Sequence, residues 1–423
     1  MSARTISARG ATGVGVASLI SAGAGYLILW VTARSLSLAE NADFLSFWAV
    51  LFFTFGTLGG VQNEITRAVG SRASAVLPDL ADPARQPRTA PRAITVGALV
   101  GLAAAAVLVV TGPWWVGLAS SGHDWLTIGV IAASACLFSG HSAMAGALAG
   151  SRQWSGYSVL VASEATWRLI LVLLVALVGL GLGGYEAAAG AGAAAWVLAL
   201  GLGRVRGALQ QRVDAPLGTV LHRIGQAMIA AASSAALMVG FPALLRATSE
   251  PSAYAQAAPL LLAISMTRAP LLMPLTAFQG VAITHFLGRK DDGLKVIAKV
   301  VGLIVAVATV GAALAWLVGP WLMVALFGPG YHVDGAVLAG LTFSAGLLGA
   351  LTITGAASLA VGLHRPYALG WLAATVVSLL VLLLPVPALT TSVPLALTAG
   401  PLVGILIHAV AIRIQLRTSL PAA

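Results

Sequence analysis

Glu164 and Arg168 lie four residues apart in an otherwise apolar run. On a helix that spacing puts both on one face, one turn apart. Arg268 stands in a second such run, just before Pro270 and Pro274, which should kink or break its helix. A charge in hydrocarbon costs about 2.5–3.5 kcal/mol on insertion scales, so an intramembrane charge is a functional candidate by default. A guanidinium grips phosphate or carboxylate through a planar fork of donors. One glutamate does not neutralise two arginines, so the deep set carries a positive bias and suits an anion such as a diphosphate. The plainer reading of Glu164 and Arg168 is an ion pair that holds their helix against its neighbours.

Further polar residues sit in or beside apolar runs. His141 is a candidate cavity or proton-coupling residue, or a hydrogen-bonded packing residue. Gln62, Asn63 and Glu64 close the second apolar run; Glu64 either lines a cavity or caps the helix end. Arg34 and Arg246 mark outer helix ends, as gate residues or as side chains snorkelling to the interface. His408 falls near another helix end. Cys136 is the single cysteine, so an internal disulfide is impossible, and it reads as a small buried hydrophobe.

The elements that position these residues follow from composition. Hydrophobic residues make up 59% of the 423 and charged residues only 9%. Ordinary soluble domains are about 25% charged. Too few charges are present to solvate a globule of this length, which excludes a soluble enzyme, a disordered chain and a disulfide scaffold. Spanning helices need about 20 apolar residues. Runs of that kind fall at about 11–33, 44–66, 94–113, 126–149, 157–180, 185–203, 224–246, 254–286, 297–318, 335–361, 366–384 and 394–412. The expected fold is an all-α integral membrane protein with about twelve transmembrane helices in two pseudo-symmetric six-helix bundles. The first run is too long for a signal peptide, whose apolar core is about 7–15 residues.

Charge orients the spans. With the N-terminus in the cytoplasm, Arg4, Arg9, Arg67, Arg72, Arg85, Arg88, Arg92, Arg152, Arg204, Arg206, Arg212, Arg223, Arg289, Lys290, Lys295, Lys299, Arg365, Arg413 and Arg417 all fall inside. Only Arg34 and Arg246 fall outside, and Arg168 and Arg268 lie within spans. A miscounted span would scramble this parity, so both termini are expected in the cytoplasm. Trp114, Trp115, Trp125 and Trp321 fit an outer aromatic belt. The expected location is the cytoplasmic (plasma) membrane.

Other chemistry finds no support. Outer connections are short, the first about nine residues with Glu40 and Asp43, leaving no room for an outer catalytic domain. No G-x-x-x-x-G-K-[ST] loop occurs. Gly179, Gly181 and Gly184 end a span rather than follow a strand, so they read as packing residues, like Gly23, Gly25, Gly190 and Gly192. The 67–92 loop, rich in Pro, Ala and Arg, reads as a basic tether facing lipid headgroups. No catalytic residue, metal site or cofactor is expected, and nucleic acid is not an expected partner.

An internal repeat is visible. Span 2 ends I-T-R-A-V-G-S-R from Ile65, and span 8 ends I-T-H-F-L-G-R-K from Ile283. Arg9 and Arg34 bracket span 1 as Arg223 and Arg246 bracket span 7. The expected division is 1–203 for the N-terminal bundle, 204–223 for a cytoplasmic linker and 224–423 for the C-terminal bundle. Two such halves are what alternating access around a midplane site uses.

The stretch 27–72 has an apolar span, then A-R-S-L-S-L-A-E-N-A-D-F, then a second span ending G-G-V-Q-N-E-I-T-R-A-V-G. This resembles the start of O-antigen-type polysaccharide flippases of the multidrug/oligosaccharidyl-lipid/polysaccharide (MOP) exporter superfamily. The run T-R-A-P-L-L-M-P-L-T-A-F-Q-G-V at 267–281 resembles their eighth helix. The usual glycine of the first turn is absent from 35–43, and the two extra helices of the lipid II branch are missing, which puts lipid II itself in doubt. The resemblance implies a flippase that moves a polyprenyl-diphosphate-linked saccharide from the inner to the outer leaflet for cell-envelope polysaccharide synthesis. It implies that Arg168 and Arg268 face the diphosphate, with Glu164 weakening that grip during release. Expected partners are that lipid-linked glycan, membrane lipids, and glycosyltransferases or a polymerase of the same pathway. H⁺ or Na⁺ coupling through Glu164, Glu64 or His141 is compatible with the residues. Two rivals stay open: a small-molecule secondary transporter of major-facilitator or drug/cation antiporter type, and a membrane-embedded polymerase or glycosyltransferase.

Overall fold

The computed structural model describes residues 8–75, 90–122, 124–268, 293–385 and 388–418. Hydrocarbon offers no partner to a backbone N–H or C=O, so each apolar run satisfies its own backbone as a helix. The main helices are α1 (Ala8–Ser35), α2 (Leu38–Ala75), α3 (Ala93–Val110), α4 (Asp124–Gly150), α5 (Trp154–Val178), α6 (Gly181–Ala199), α7 (Leu217–Met238), α8 (Phe241–Thr248) and α9 (Ala258–Arg268). They continue as α10 (Gly293–Phe327), α11 (Gly335–Ala360), α12 (His364–Leu382) and α13 (Leu389–Thr418). Among the described residues, nine helices are long and apolar enough to cross a membrane, or eleven when each of two bent pairs is one span. The remaining expected span, 254–286, is described only through Arg268. Its Pro270 and Pro274, and the second copy of the repeat motif from Ile283, lie outside the described residues. The chain is a multi-pass membrane protein.

Some boundaries differ from the sequence reading. The first outer connection is not a loop of about nine residues: α1 ends at Ser35 and α2 begins at Leu38. The reason is a capping box. Ser37 N and Oγ donate to Glu40 Oε2 at 3.0 and 2.7 Å, and Glu40 N donates to Ser37 Oγ at 3.3 Å. Span 6 bends by 90° between Ala199 and Gly203, and span 7 by 65° between α7 and α8. Both breaks fall at glycine-containing stretches, where helical propensity is lowest.

The chain divides into two compact units, Met1–Leu36 with Ser46–Ala235, and Ser37–Leu45 with Ala236–Ala423. In the first unit α1 packs on α5, α3 on α4, and α6 on both α4 and α5. In the second, α10 packs on α11, α12 on α13, and α13 on α11. The fourth span (α4) and the tenth (α11) are the central ones, with 67% and 78% of their apolar windows buried. The third (α3) and ninth (α10) are peripheral, at 22% and 6%, and turn apolar side chains outward. The two bundles therefore repeat one packing plan, as the pseudo-symmetry of the sequence implies.

Small residues set the helix spacing where hydrophobic burial supplies little drive between helices. A Cβ on Gly146 or Gly150 of α4 would come within 2.7 Å of the Gln62 or Thr66 carbonyl oxygen of α2. A Cβ on Gly60 would lie 2.5 Å from the Met228 backbone nitrogen of α7, whereas one on Gly59 meets nothing within 4 Å. Backbone cannot yield as a flexible side chain can. We expect Gly60→Val to destabilise the protein by about 1–3 kcal/mol, the usual cost of overpacking. Gly59→Val should change little. Thermal unfolding of both variants in one detergent checks the difference.

Candidate functional site

The deep polar residues of the first unit gather around α5. Arg168 pairs with Glu164 one turn before it, and both are buried. Its Nε donates to the Ala189 carbonyl of α6 at 2.9 Å. Its Cζ lies 5.0 Å from the Phe52 ring centroid and 5.6 Å from that of Phe55, both on α2. Cation–π contacts of this kind strengthen when desolvated. Room for the side chain comes from Gly192, where a Cβ would sit 2.7 Å from both Cβ and Nε of Arg168. The aromatic stack continues: Phe55 lies 3.9 Å from Phe138, at 7° between planes, and Phe138 lies 5.2 Å from His141. The His141 ring is buried, and its Nδ1 has no hydrogen-bond partner. Glu164, Arg168 and His141 thus belong to one cluster built on three aromatic rings.

Gln62 and Glu64 do not join that cluster. Gln62 Nε2 lies 3.4 Å from the Tyr157 hydroxyl. Glu64 receives Arg67 at 2.6 Å, and Arg67 also reaches Asp214 at 3.0 Å. Arg223 lies 3.9 Å from Glu64 and 3.6 Å from Asp214. Arg72 donates to the Val213 carbonyl and Arg212 to that of Ala90. This second network fastens the 211–216 stretch to the end of α2 and the start of α3. Asn63 is exposed on α2, and Arg34 is exposed in the last turn of α1.

Arg268 belongs to the second unit and solves its burial differently. Nη1 donates to the carbonyls of Met238 and Leu237, at 2.7 and 3.3 Å, where α7 ends. A cation there also meets the negative end of the helix dipole. Its Cζ lies 5.8 Å from the Phe241 ring. Among the described residues no carboxylate pairs with it. Arg246, in the same unit, pairs with Asp43 at 2.6 Å and lies over the Tyr254 ring at 5.1 Å. His408 is a core histidine. Its Nδ1 is 3.1 Å from Thr354 Oγ1, and its Nε2 is 3.2 Å from the Tyr367 carbonyl. That carbonyl can only accept, so Nε2 is the donor to it.

Glu186 of α6 is a buried carboxylate that the sequence reading passed over, because it stands at the expected edge of a span. Thr127 Oγ1 donates to its Oε2 at 3.3 Å. It alters the charge count. Among the described residues, the buried span charges of the first unit are Glu64, Glu164, Glu186 and Arg168, whereas Arg268 is the buried cation of the second. The positive bias inferred from sequence is therefore confined to the second unit.

No family model matches the sequence. Two proteins of Mycobacterium tuberculosis are similar along nearly its whole length. Uncharacterized protein Rv3630 is 36% identical over 400 residues, covering 94% of this chain and 91% of its own. Uncharacterized protein Rv1510 is 37% identical over 400 residues, covering 94% and 90%. The chain belongs to their family. In fold it is similar to an inward-facing multidrug-resistance MATE transporter of the MOP superfamily, with TM-score 0.72, 13% identity, and 96% of this chain and all of that one covered. The outward-facing form of such a transporter gives 0.68 at 14% identity, covering 98% and 97%. A MOP-superfamily transporter from Pyrococcus furiosus, described as having a binding pocket of reverse polarity that suggests a different function, gives 0.65 at 14% identity, covering 97% and 96%. These likenesses show the fold, which is that of the MATE transporters.

The Glu164–Arg168 arrangement predicts an asymmetry. Removing one partner of a buried pair leaves an uncompensated charge and costs about 3–5 kcal/mol, whereas replacing both is often far cheaper. Arg168→Met alone should therefore lower stability more than Glu164→Gln with Arg168→Met together. Unfolding of the single and double variants in detergent measures the coupling.

Proposed function

We propose that the protein is a transporter of the lipid-flipping kind, which moves a polyprenyl-diphosphate-linked saccharide from the inner to the outer leaflet of the cytoplasmic membrane by alternating access. The observation that carries this reading is Arg268, a buried guanidinium at a helix break whose partners among the described residues are carbonyl oxygens rather than a carboxylate. A phosphate oxygen is a stronger acceptor than a carbonyl and restores a charge-assisted bond. Half-helix ends and unwound backbone near the midplane are where secondary transporters place their substrate groups. In this reading Arg268 binds the diphosphate. Arg168, held by Glu164, Ala189 and two phenyl rings, contributes as its pair with Glu164 loosens.

Two further features support a lipid-linked substrate. Apolar cavities of about 490 Å³ and about 460 Å³ occur in the first and second units, one between α2, α3 and α7, the other between α9, α10 and α11. The Thr54 and Thr57 hydroxyls at the first are spent on the Val50 and Phe53 carbonyls, leaving hydrocarbon-like walls. A cationic drug would instead call for a carboxylate at the site, and among the described residues Arg268 has only carbonyl hydrogen-bond partners. The reverse-polarity pocket described for the Pyrococcus furiosus neighbour supports judging each chain of this fold by its own buried charges. The glycosyltransferases or polymerase of the same pathway are the proposed partners, and both termini are placed in the cytoplasm by the charge bias.

The test is reconstitution in liposomes with a fluorescent polyprenyl-diphosphate sugar. Arg268→Ala should reduce outward movement at least about tenfold, the loss of one charge-assisted bond. Arg268→Lys, which keeps the charge, should retain part of it. Unchanged transport in Arg268→Ala removes the assigned role. Uptake of small cations with no lipid movement would favour a drug antiporter instead.

A further inference from the structure

The chain crosses between its two units at an unexpected place. Residues Ser37–Leu45 belong to the second unit, although α1 before them and the rest of α2 after them belong to the first. The segment is preformed by the Ser37–Glu40 capping box and extended by the Asn41 N–H donating to the Ser37 carbonyl at 2.8 Å. Its inner face is buried throughout: Asn41, Ala42 and Phe44 have no solvent exposure, and Leu45 has 3%.

Three segments of the second unit hold it. Arg246, in the last turn of α8, makes the 2.6 Å ion pair with Asp43, and its guanidinium lies over the Tyr254 ring. The Tyr254 hydroxyl in turn reaches the Pro242 carbonyl at 3.3 Å. Tyr331, between α10 and α11, accepts a hydrogen bond from Asn41 Nδ2 at 2.9 Å. Leu38 lies against Gly330. By the charge bias, all three segments are outer connections.

The grip is specific and incomplete. The two ionic side chains are mostly buried, at 13% and 17% exposure, so the pair is worth more than a surface one. The Asn41 Oδ1, by contrast, is buried with no hydrogen-bond partner. An unsatisfied buried acceptor favours the released state, in which water reaches it. A fully optimised joint would not carry that penalty. Helix α2 also runs unbroken from Leu38 to Ala75.

We propose that Ser37–Leu45 is an outer latch, fastened by Asp43–Arg246 and Asn41–Tyr331 and released as one piece when the transporter changes state. It assigns Arg246 a conformational role rather than a membrane-anchoring one, and it does not depend on which molecule is carried.

Hydrogen exchange of the full chain in lipid nanodiscs tests it. The amides of 41–45 should be protected in the parent protein. Asp43→Asn and Arg246→Gln should each speed their exchange about tenfold or more, with α4 and α11 amides unchanged. The charge exchange Asp43→Arg with Arg246→Asp should restore much of the protection. Tyr331→Phe, a milder change that keeps the ring, should speed the same amides by a smaller factor. Unchanged exchange in Asp43→Asn overturns the latch. So does exchange that rises equally across the second unit, because the pair would then be general stabilisation. A charge-exchanged protein as fast as the single variants overturns the pairing itself.

Discussion

A charge inside a lipid bilayer needs a partner from the protein, because the surroundings supply none. The structure meets that requirement for two buried arginines and extends the same logic to Arg246 at an outer helix end. Arg168 takes a carboxylate from its own helix, a carbonyl from α6 and the faces of Phe52 and Phe55. Arg268 takes the carbonyls freed where α7 ends. Arg246 takes Asp43 and the Tyr254 ring. Each solution fixes a piece of architecture. The first requires Gly192 so that α6 can approach α5. The second requires a broken span. The third requires the first turn of α2 to fold with the second unit.

The same constraint explains why the two bundles share one packing plan yet differ in charge. Repetition of the plan rests on apolar and small residues, which are interchangeable within limits of volume. Charges are not interchangeable, since each needs a particular partner at a particular depth. Among the described residues the first unit therefore buries three carboxylates, Glu64, Glu164 and Glu186, and one guanidinium, while the second holds Arg268 on backbone oxygens. A pseudo-symmetric scaffold thus supports an asymmetric electrostatic interior.

Much of this was legible in the sequence. The apolar runs gave the helices, because that effect acts locally along the chain. The i,i+4 spacing of Glu164 and Arg168 gave their pairing for the same reason. Long-range partners were not legible. Nothing in the string ties Asp43 to Arg246, Asn41 to Tyr331, or Arg168 to Phe52. Glu186 was hidden by its place at the edge of a span, where a carboxylate usually faces headgroups. Glu64 read as a cavity residue or a cap at the end of its span, and its partners Arg67 and Arg223 appear only in the structure. The short first connection was concealed because Ser37 and Glu40 read equally well as loop residues or as a capping box.

The different tethers of the two deep arginines bear on energetics. An inside-negative potential favours outward movement of an anion by about 2.3 kcal/mol per charge per 100 mV. A cation that moves across the field with the anion cancels that gain. Arg268 is bound to the carbonyls at the end of α7, so its position is fixed by the kink and it moves only as far as the second unit does. In the proposed transport, an anion that leaves Arg268 behind gains the full electrical work, and one that drags the arginine with it gains little. Anchoring the guanidinium to backbone rather than to a mobile carboxylate favours the first case. In the proposed transport, the helix break that lets Arg268 sit in hydrocarbon therefore also keeps it from cancelling the electrical work.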